Sequence, residues 1–474
     1  MDNNAFRHWS LKAAEWGVDY RDGLRDRPVR PKLEPGQVLN SIAASPPEAA
    51  ESMEAIFADF EAKIVPGMTH WQHPRFFAYF PANAAPVSVV AEYLVSAMAA
   101  QCMLWQTSPA ATELETRVVD WMRQALGLPD GFSGVIQDSA SSATLAAVLT
   151  MRERALDWQG NKSGLSGAPR IRVYCSEHVH TSIDRAIWIA GIGEENLVRI
   201  PTGGRFRAMS AAALEAAIVE DRSQGFLPAG VIACVGGTSI GGTDDIAAVV
   251  DITARHGLYC HVDAAWAGSA MICPEFRHFW AGVERADSIV FNPHKWLGAQ
   301  FDCSIQFIRD PESLVRTLAI RPEFLKTHGR DGITNYSEWS VPLGRRFRAL
   351  KLWFLLRAHG LQGLRTMIRN HVSWSGKLAE RLRREPGFEI TSEPMLSLFS
   401  FRHVPMGLSD LDQHNLALAE AINRDGRIYL TQTRVDGRTV IRFQAGQFEA
   451  TEADVDKAFE VIVEIARAVG SPPA

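Results

Sequence analysis

The sequence predicts an α/β protein with a mostly parallel central sheet flanked by helices, followed by a small α+β C-terminal domain. Three observations carry that expectation. The 474 residues, 46% of them hydrophobic, exceed what one core usually organises. From about residue 170, short β-rich runs alternate with helix-like runs, the pattern of a parallel sheet covered on both faces. After about residue 370, helices and strands succeed one another in a different balance.

Taken in order, residues 1–84 read as a helical segment, rich in Arg and Pro and poor in strands. "RDRPVRPKLEPG" is a loop between two helical stretches. Such a segment needs something to pack on, and a second subunit fits. The run "APVSVVAEYLVSAMAAQCMLW" contains Glu92 and Gln101, so it reads as a buried helix, not a membrane span. "TELETRVVDWMRQALGLP" predicts a helix with Thr112 and Glu115 as a capping box. Leu114, Val118, Trp121, Met122 and Ala125 follow at helical spacing, and Gly127 and Pro129 stop it. The predicted strands are "IRVYCS", "LVRIP", "GVIACVGG", "LYCHVD", "SIVFN" and "SIQFIR". Residues 85–370 form the expected large domain and 371–474 the small one. In the latter, "FEITSE", "LSLFSFRHV" and "TVIRFQAG" are strands between helices.

The formal net charge of −5 offers no general attraction to nucleic acid or anionic membrane. Six cysteines without C-x-x-C spacing suggest neither a zinc ribbon nor a redox motif, and read as small core residues. No metal site is expected. The N-terminus shows no secretory signal, so a cytoplasmic enzyme is expected.

In a parallel sheet, ligands bind beyond the carboxyl ends of the strands. That rule selects Gly236–Thr238, Asp263 and Lys295. Asp263 ends an apolar strand and could cap, pair with a cation or bind magnesium. Lys295 follows 32 residues later and is either a snorkelling lysine or an amine activated by desolvation. Ser139, Ser141 and Ser142 stand where a helix begins, as caps or as a phosphate cradle. His180 follows a strand end, with His178 beside it. A phosphate cradle, a carboxylate, a strand-end lysine and a histidine together suit pyridoxal 5′-phosphate.

The stretch from His261 to Ser304, with "HVDAAWAG" and "NPHKW", closely resembles the aromatic L-amino acid decarboxylases (group II pyridoxal-phosphate-dependent decarboxylases). So do "HPRFFAYFP", "SPAATELE", "SASSATL" and "VPLGRRFRALKLWF". The resemblance implies a fold type I, aspartate aminotransferase-like architecture and a homodimer, residues 1–84 packing on the partner. It implies that Lys295 is the Schiff-base lysine, that Asp263 pairs with the pyridine nitrogen, and that His180 and Ala265 cover the two ring faces. It places Ala140, Ser141, Asn292 and His294 around the phosphate, and Gly237 and Thr238 beside the cofactor. It lines the substrate pocket with Trp71, Tyr79, Phe80, Pro81, Ala82, Met103, Gly344 and His180, Met103 coming from the other subunit. The implied reaction turns aromatic L-amino acids into amines and CO2.

Three positions depart from the family pattern. Gly237 stands where a threonine is common, with Thr238 next, and Ala82 replaces a threonine of animal members. Phe324, in "RPEFLKT", stands where a loop tyrosine returns a proton to the substrate. Phenylalanine has none to give, so oxidative deamination to an aldehyde is the alternative product route. Tyr336 is a candidate substitute donor. The basic run Arg345, Arg346, Arg348 and Lys351 suits a helix face, a subunit contact or an anion partner. A cofactor-binding protein without catalysis and an aminotransferase are the remaining classes.

Overall fold

The computed structural model describes residues 1–320 and 333–470. Its strands are β1 (Ser133–Gln137), β2 (Ile171–Ser176), β3 (Leu197–Ile200), β4 (Thr202–Gly203), β5 (Ala208–Met209), β6 (Leu227–Cys234), β7 (Tyr259–Asp263), β8 (Ser288–Phe291), β9 (Ser304–Ile308), β10 (Phe388–Met395), β11 (Leu398–His403), β12 (Thr431–Val435) and β13 (Arg438–Gln444). They form a seven-stranded sheet in the order β1-β9-β8-β7-β6-β2-β3, a four-stranded sheet in the order β10-β11-β13-β12, and the β4–β5 hairpin.

The chain divides into two compact units. One joins residues 82–375 with 392–399 and contains the seven-stranded sheet. β9 pairs antiparallel with β1 and β8, while β8, β7, β6, β2 and β3 pair parallel. The six like-directed strands therefore end on one rim, and β9 begins there. Helices such as Ala140–Ala155, Ala211–Ser223 and Ile246–His256 separate the strands. Val173, Ile232, Val262 and Ile289 are fully buried in the sheet, which is why these runs read as apolar.

The other unit gathers residues 1–81, 376–391 and 400–474. The N-terminal segment is thus grouped with the C-terminal strands and helices. Phe77 stacks on Phe443 with ring centroids 4.6 Å apart. Arg25 reaches Asp454 at 3.0 Å, tying the start of the chain to the last helix, Glu452–Gly470.

Two local expectations fail for identifiable reasons. The predicted capping box is not a cap: the helix spans Pro109–Leu126, with Pro at its first position and Ser108 preceding it. Glu115 lies inside it and is drawn into a buried ion pair with Arg345. Strands β1 and β12 were not anticipated. "SGVIQ" and "TQTRV" are short, and each is an outer strand of its sheet. The six cysteines are free and buried. Among the described residues no helix is long and apolar enough to cross a membrane.

Candidate active site

The rim of the seven-stranded sheet collects most of the residues expected to do chemistry. β7 ends on Asp263, in register with Cys234 at the end of β6 and Val290 near the end of β8. The Asp263 carboxylate accepts the Ala265 N–H at 3.0 Å, and the Ala265 carbonyl accepts the Asn292 N–H at 2.8 Å. That pair of bonds aligns the segments leaving β7 and β8.

Lys295 follows four residues after β8. Its N–H donates to the Asn292 carbonyl at 2.9 Å. Asn83 grips the same turn: its side-chain amide donates to the Lys295 carbonyl at 2.7 Å, and its N–H to the His294 carbonyl at 2.9 Å. Lys295 keeps some accessible surface. Loss of hydration nevertheless lowers its amine's pKa, against the opposing pull of Asp263 and Cys234. Burial holds the Cys234 thiol well above its usual range, so Asp263 is the charge that faces the lysine.

Around Lys295, tautomers are set by backbone donors. The Cys303 N–H donates to Nδ1 of His294 at 2.9 Å. Burial takes the His294 pKa down to about 3, so the ring is neutral with its proton on Nε2. Ser304, first in β9, donates to Oδ1 of Asn292 at 2.6 Å and leaves Nδ2 as the donor end of that amide. At the end of β1, Ser139 caps the Ala140–Ala155 helix, its hydroxyl accepting the Ser142 N–H at 3.2 Å. The N–H groups of Ala140 and Ser141 occupy the first turn, where a helix has no internal acceptors. After β2, the Ser182 N–H donates to Nδ1 of His180 at 3.0 Å, which also puts the ring proton on Nε2. Desolvation lowers the His180 pKa more than Asp263 raises it. After β6 the chain turns through Gly236 at φ +77°, where a Cβ would lie 2.6 Å from that of Ala267. Gly237 and Thr238 follow, the Gly237 N–H donating to the Gly242 carbonyl at 2.8 Å.

This donor set fits pyridoxal 5′-phosphate. It offers an amine with weakened hold on its proton, a buried carboxylate, and neutral N–H donors of the kind a dianionic phosphate needs. Among the described residues no group of three or more His, Cys, Asp or Glu side chains could hold a metal ion.

The remaining expected residues are divided between the two units. Trp71, Tyr79, Phe80 and Pro81 belong to the unit that joins residues 1–81, 376–391 and 400–474. There Trp71 and Tyr79 stack at 5.8 Å between centroids, and the Arg442 guanidinium lies 5.4 Å from the Phe80 ring. Tyr429 meets Tyr79 edge-on at 6.1 Å, a neighbour the sequence did not reveal. Ala82, Met103 and Gly344 belong to the larger unit. The Met103 carbonyl accepts the Ser337 N–H at 3.1 Å, and a Cβ on Gly344 would meet Gln101 at 3.2 Å. Tyr336 is buried, its hydroxyl 2.9 Å from that of Thr116, and burial raises its pKa, so it is no ready proton donor. Phe324 lies outside the described residues. Asn83 and Ser304 were missed because neither sits in a strand-end pattern; the only signal for Ser304 is a hydroxyl opening an apolar strand.

Residues 35–404 match the family model described as the pyridoxal-dependent decarboxylase conserved domain. Aromatic-L-amino-acid decarboxylase of Mus musculus is 39% identical, the alignment covering 99% of both chains. Phenylacetaldehyde synthase of Arabidopsis thaliana is 36% identical over 98% of this chain and 96% of its own. The crystal structure of Oryza sativa TDC with PLP and tryptamine superposes with a TM-score of 0.96 at 35% identity, covering 99% of each chain.

Proposed function

The chain belongs to the pyridoxal-dependent decarboxylase family, and from that premise we propose how its residues carry out the decarboxylation of aromatic L-amino acids to amines and CO2. It is a pyridoxal-phosphate-dependent carboxy-lyase of fold type I. The observation that carries the assignment of roles is Lys295, partly buried just past β8, with its pKa lowered and Asp263 as its facing charge.

When bound, the cofactor supplies a protonated ring that withdraws electrons from the substrate's α-carbon. Lys295 is its point of attachment, and its weakened hold on a proton keeps the amine nucleophilic. Asp263 keeps the pyridine nitrogen protonated. His180, neutral and fixed through Nδ1, would cover one face of the cofactor ring and Ala265 the other. The first-turn N–H groups of Ala140 and Ser141, Nδ2 of Asn292 and Nε2 of His294 hold the phosphate, with Gly237 and Thr238 beside the ring. Trp71, Tyr79, Phe80, Pro81, Ala82, Met103 and Gly344 contact the aromatic substrate. A homodimer belongs to this reading. The Pro86–Met98 helix supports it, because Val89, Val90, Tyr93, Leu94 and Met98 are exposed on its surface. Sedimentation at twice 52.3 kDa is expected, and a monomer overturns that part. A cytoplasmic location is the last element of the proposal.

The aldehyde route rests on Phe324, and the comparisons do not favour it. Aerobic incubation of the holoenzyme with Phe, Tyr, Trp and dopa tests the reaction. Amine and CO2 in equal amounts are expected. Aldehyde with peroxide overturns this in favour of oxidative deamination, and no turnover of any of them overturns both.

A further inference from the structure

The basic run that the sequence left between an anion partner and a helix face turns to carboxylates of its own chain. Arg345 pairs with Glu115, Arg346 with Glu92, Arg348 with Asp302 and Lys351 with Glu92. Two of these pairs end on opposite sides of the proposed phosphate site.

The first holds β1. Arg345 donates through Nη1 and Nη2 to the two Glu115 oxygens at 3.1 and 2.6 Å, and Nη2 also reaches the Ile136 carbonyl at 2.7 Å. Glu115 in turn accepts the Ile136 N–H at 2.9 Å. β1 is an outer strand, paired only with β9, so this ion pair satisfies both backbone groups of Ile136 on the open edge. Two residues later the strand is over, and at Ser139 the helix cap begins.

The second holds the segment before β9. Nε of Arg348 donates to Oδ1 of Asp302 at 2.8 Å. The next residue, Cys303, is the one whose N–H fixes the His294 tautomer, and Ser304 after it orients Asn292. The first arm thus stops four residues before Ala140, and the second stops one and two residues before Cys303 and Ser304, which orient His294 and Asn292. A buried ion pair such as Arg345–Glu115 rarely stabilises a fold more than apolar packing would, so the contribution proposed for it is positional.

We propose that Arg345–Glu115 and Arg348–Asp302 are positioning pairs that brace the two sides of the cofactor's phosphate cradle. The inference rests on placing the phosphate at the Ala140–Ser141 turn with Asn292 and His294. A brace of the phosphate end must matter for pyridoxal 5′-phosphate and be silent toward pyridoxal, which has the aldehyde but no phosphate.

Apo-protein is therefore titrated with each aldehyde by absorbance, for the wild type, Glu115→Gln, Arg348→Lys, Asp302→Asn and Ala140→Pro. Proline at the first helical position keeps the helix but deletes one phosphate donor, so Ala140→Pro tests the placement itself. Glu115→Gln and Asp302→Asn are expected to weaken pyridoxal phosphate ~10-fold, the lower end for outer partners of a bound ion, with pyridoxal unchanged. Equal weakening of both aldehydes, or none, overturns the brace. An unchanged ratio in Ala140→Pro overturns the placement instead. Should Glu115→Gln fail to fold by circular dichroism, the less buried Arg348–Asp302 pair decides through its two variants.

Discussion

Lys295 and Lys351 both belong to the larger unit, and they differ in exposure and in the charges around them. Lys351 has no accessible surface. It lies 2.7 Å from Glu92 and donates to Gln300 at 3.2 Å, a cation neutralised where it stands. Lys295 keeps some access, and the raising pull of Asp263 does not offset its loss of hydration. What makes a lysine an amine for chemistry is therefore access combined with incomplete compensation, and burial alone does not supply it. The sheet rim supplies that environment for Lys295, and Glu92 denies it to Lys351.

The largest effect that would break this comparison is at Lys295. Lys295→Ala is expected to abolish the visible absorbance of lysine-bound cofactor and to cut turnover by on the order of 10⁴–10⁶-fold, with the fold intact. Near-normal turnover would mean that the amine is supplied elsewhere. Lys351→Met should do the reverse. It leaves Glu92 with Arg346 alone and should cost ~2 kcal/mol in denaturant unfolding, with kcat per folded site unchanged. A loss of kcat without loss of stability would put Lys351 on the rim side of the comparison.

A smaller effect is expected behind the rim. Trp296, next to Lys295, donates through Nε1 to Nδ1 of His371 at 2.9 Å, and burial takes the His371 pKa down to about 3. The unfolded chain binds this proton below about pH 6.5 while the folded chain refuses it down to about 3. Stability from this residue is thus complete above about 6.5 and lost as pH falls, at about 1.4 kcal/mol per pH unit. His371→Gln keeps an acceptor for Trp296 without titrating. Its unfolding free energy should fall less between pH 6.5 and 5.5 than that of the wild type, and equal slopes would show that His371 is not buried neutral.

The rim was legible in the sequence because strand ends announce themselves. Asp263 and Lys295 each close an apolar run, and Ser139 opens a helix. The basic run was visible as four cations but not in its direction. Glu115 is about 230 residues from Arg345 in sequence, and helical spacing assigned it to a cap. Glu92 was read only as a charge that spoils a membrane span, although it serves two cations. Asn83 was hidden for the same reason: its partner, Lys295, is 212 residues away. Local pattern reveals which residues end an element. It does not reveal which distant residue they meet.

The smallest effect concerns the rim's own loop. Gly237 follows the turn that Gly236 makes at φ +77°. Gly237 itself has no left-handed φ. A Cβ there would meet Cys234 Sγ, the Gly242 carbonyl and the His178 carbonyl at 3.4 Å, ordinary contact distances. Removing a glycine where the backbone suits other residues stabilises by about 0.4–1 kcal/mol through the unfolded chain. Ordering a β-branched side chain offsets part of that. Gly237→Thr should therefore change the thermal midpoint little, while Lys351→Met beside Glu92 changes it more. A threonine that destabilised the protein as much as the methionine would mean the rim is packed as tightly as the surroundings of Lys351, and the access that distinguishes Lys295 would need another source.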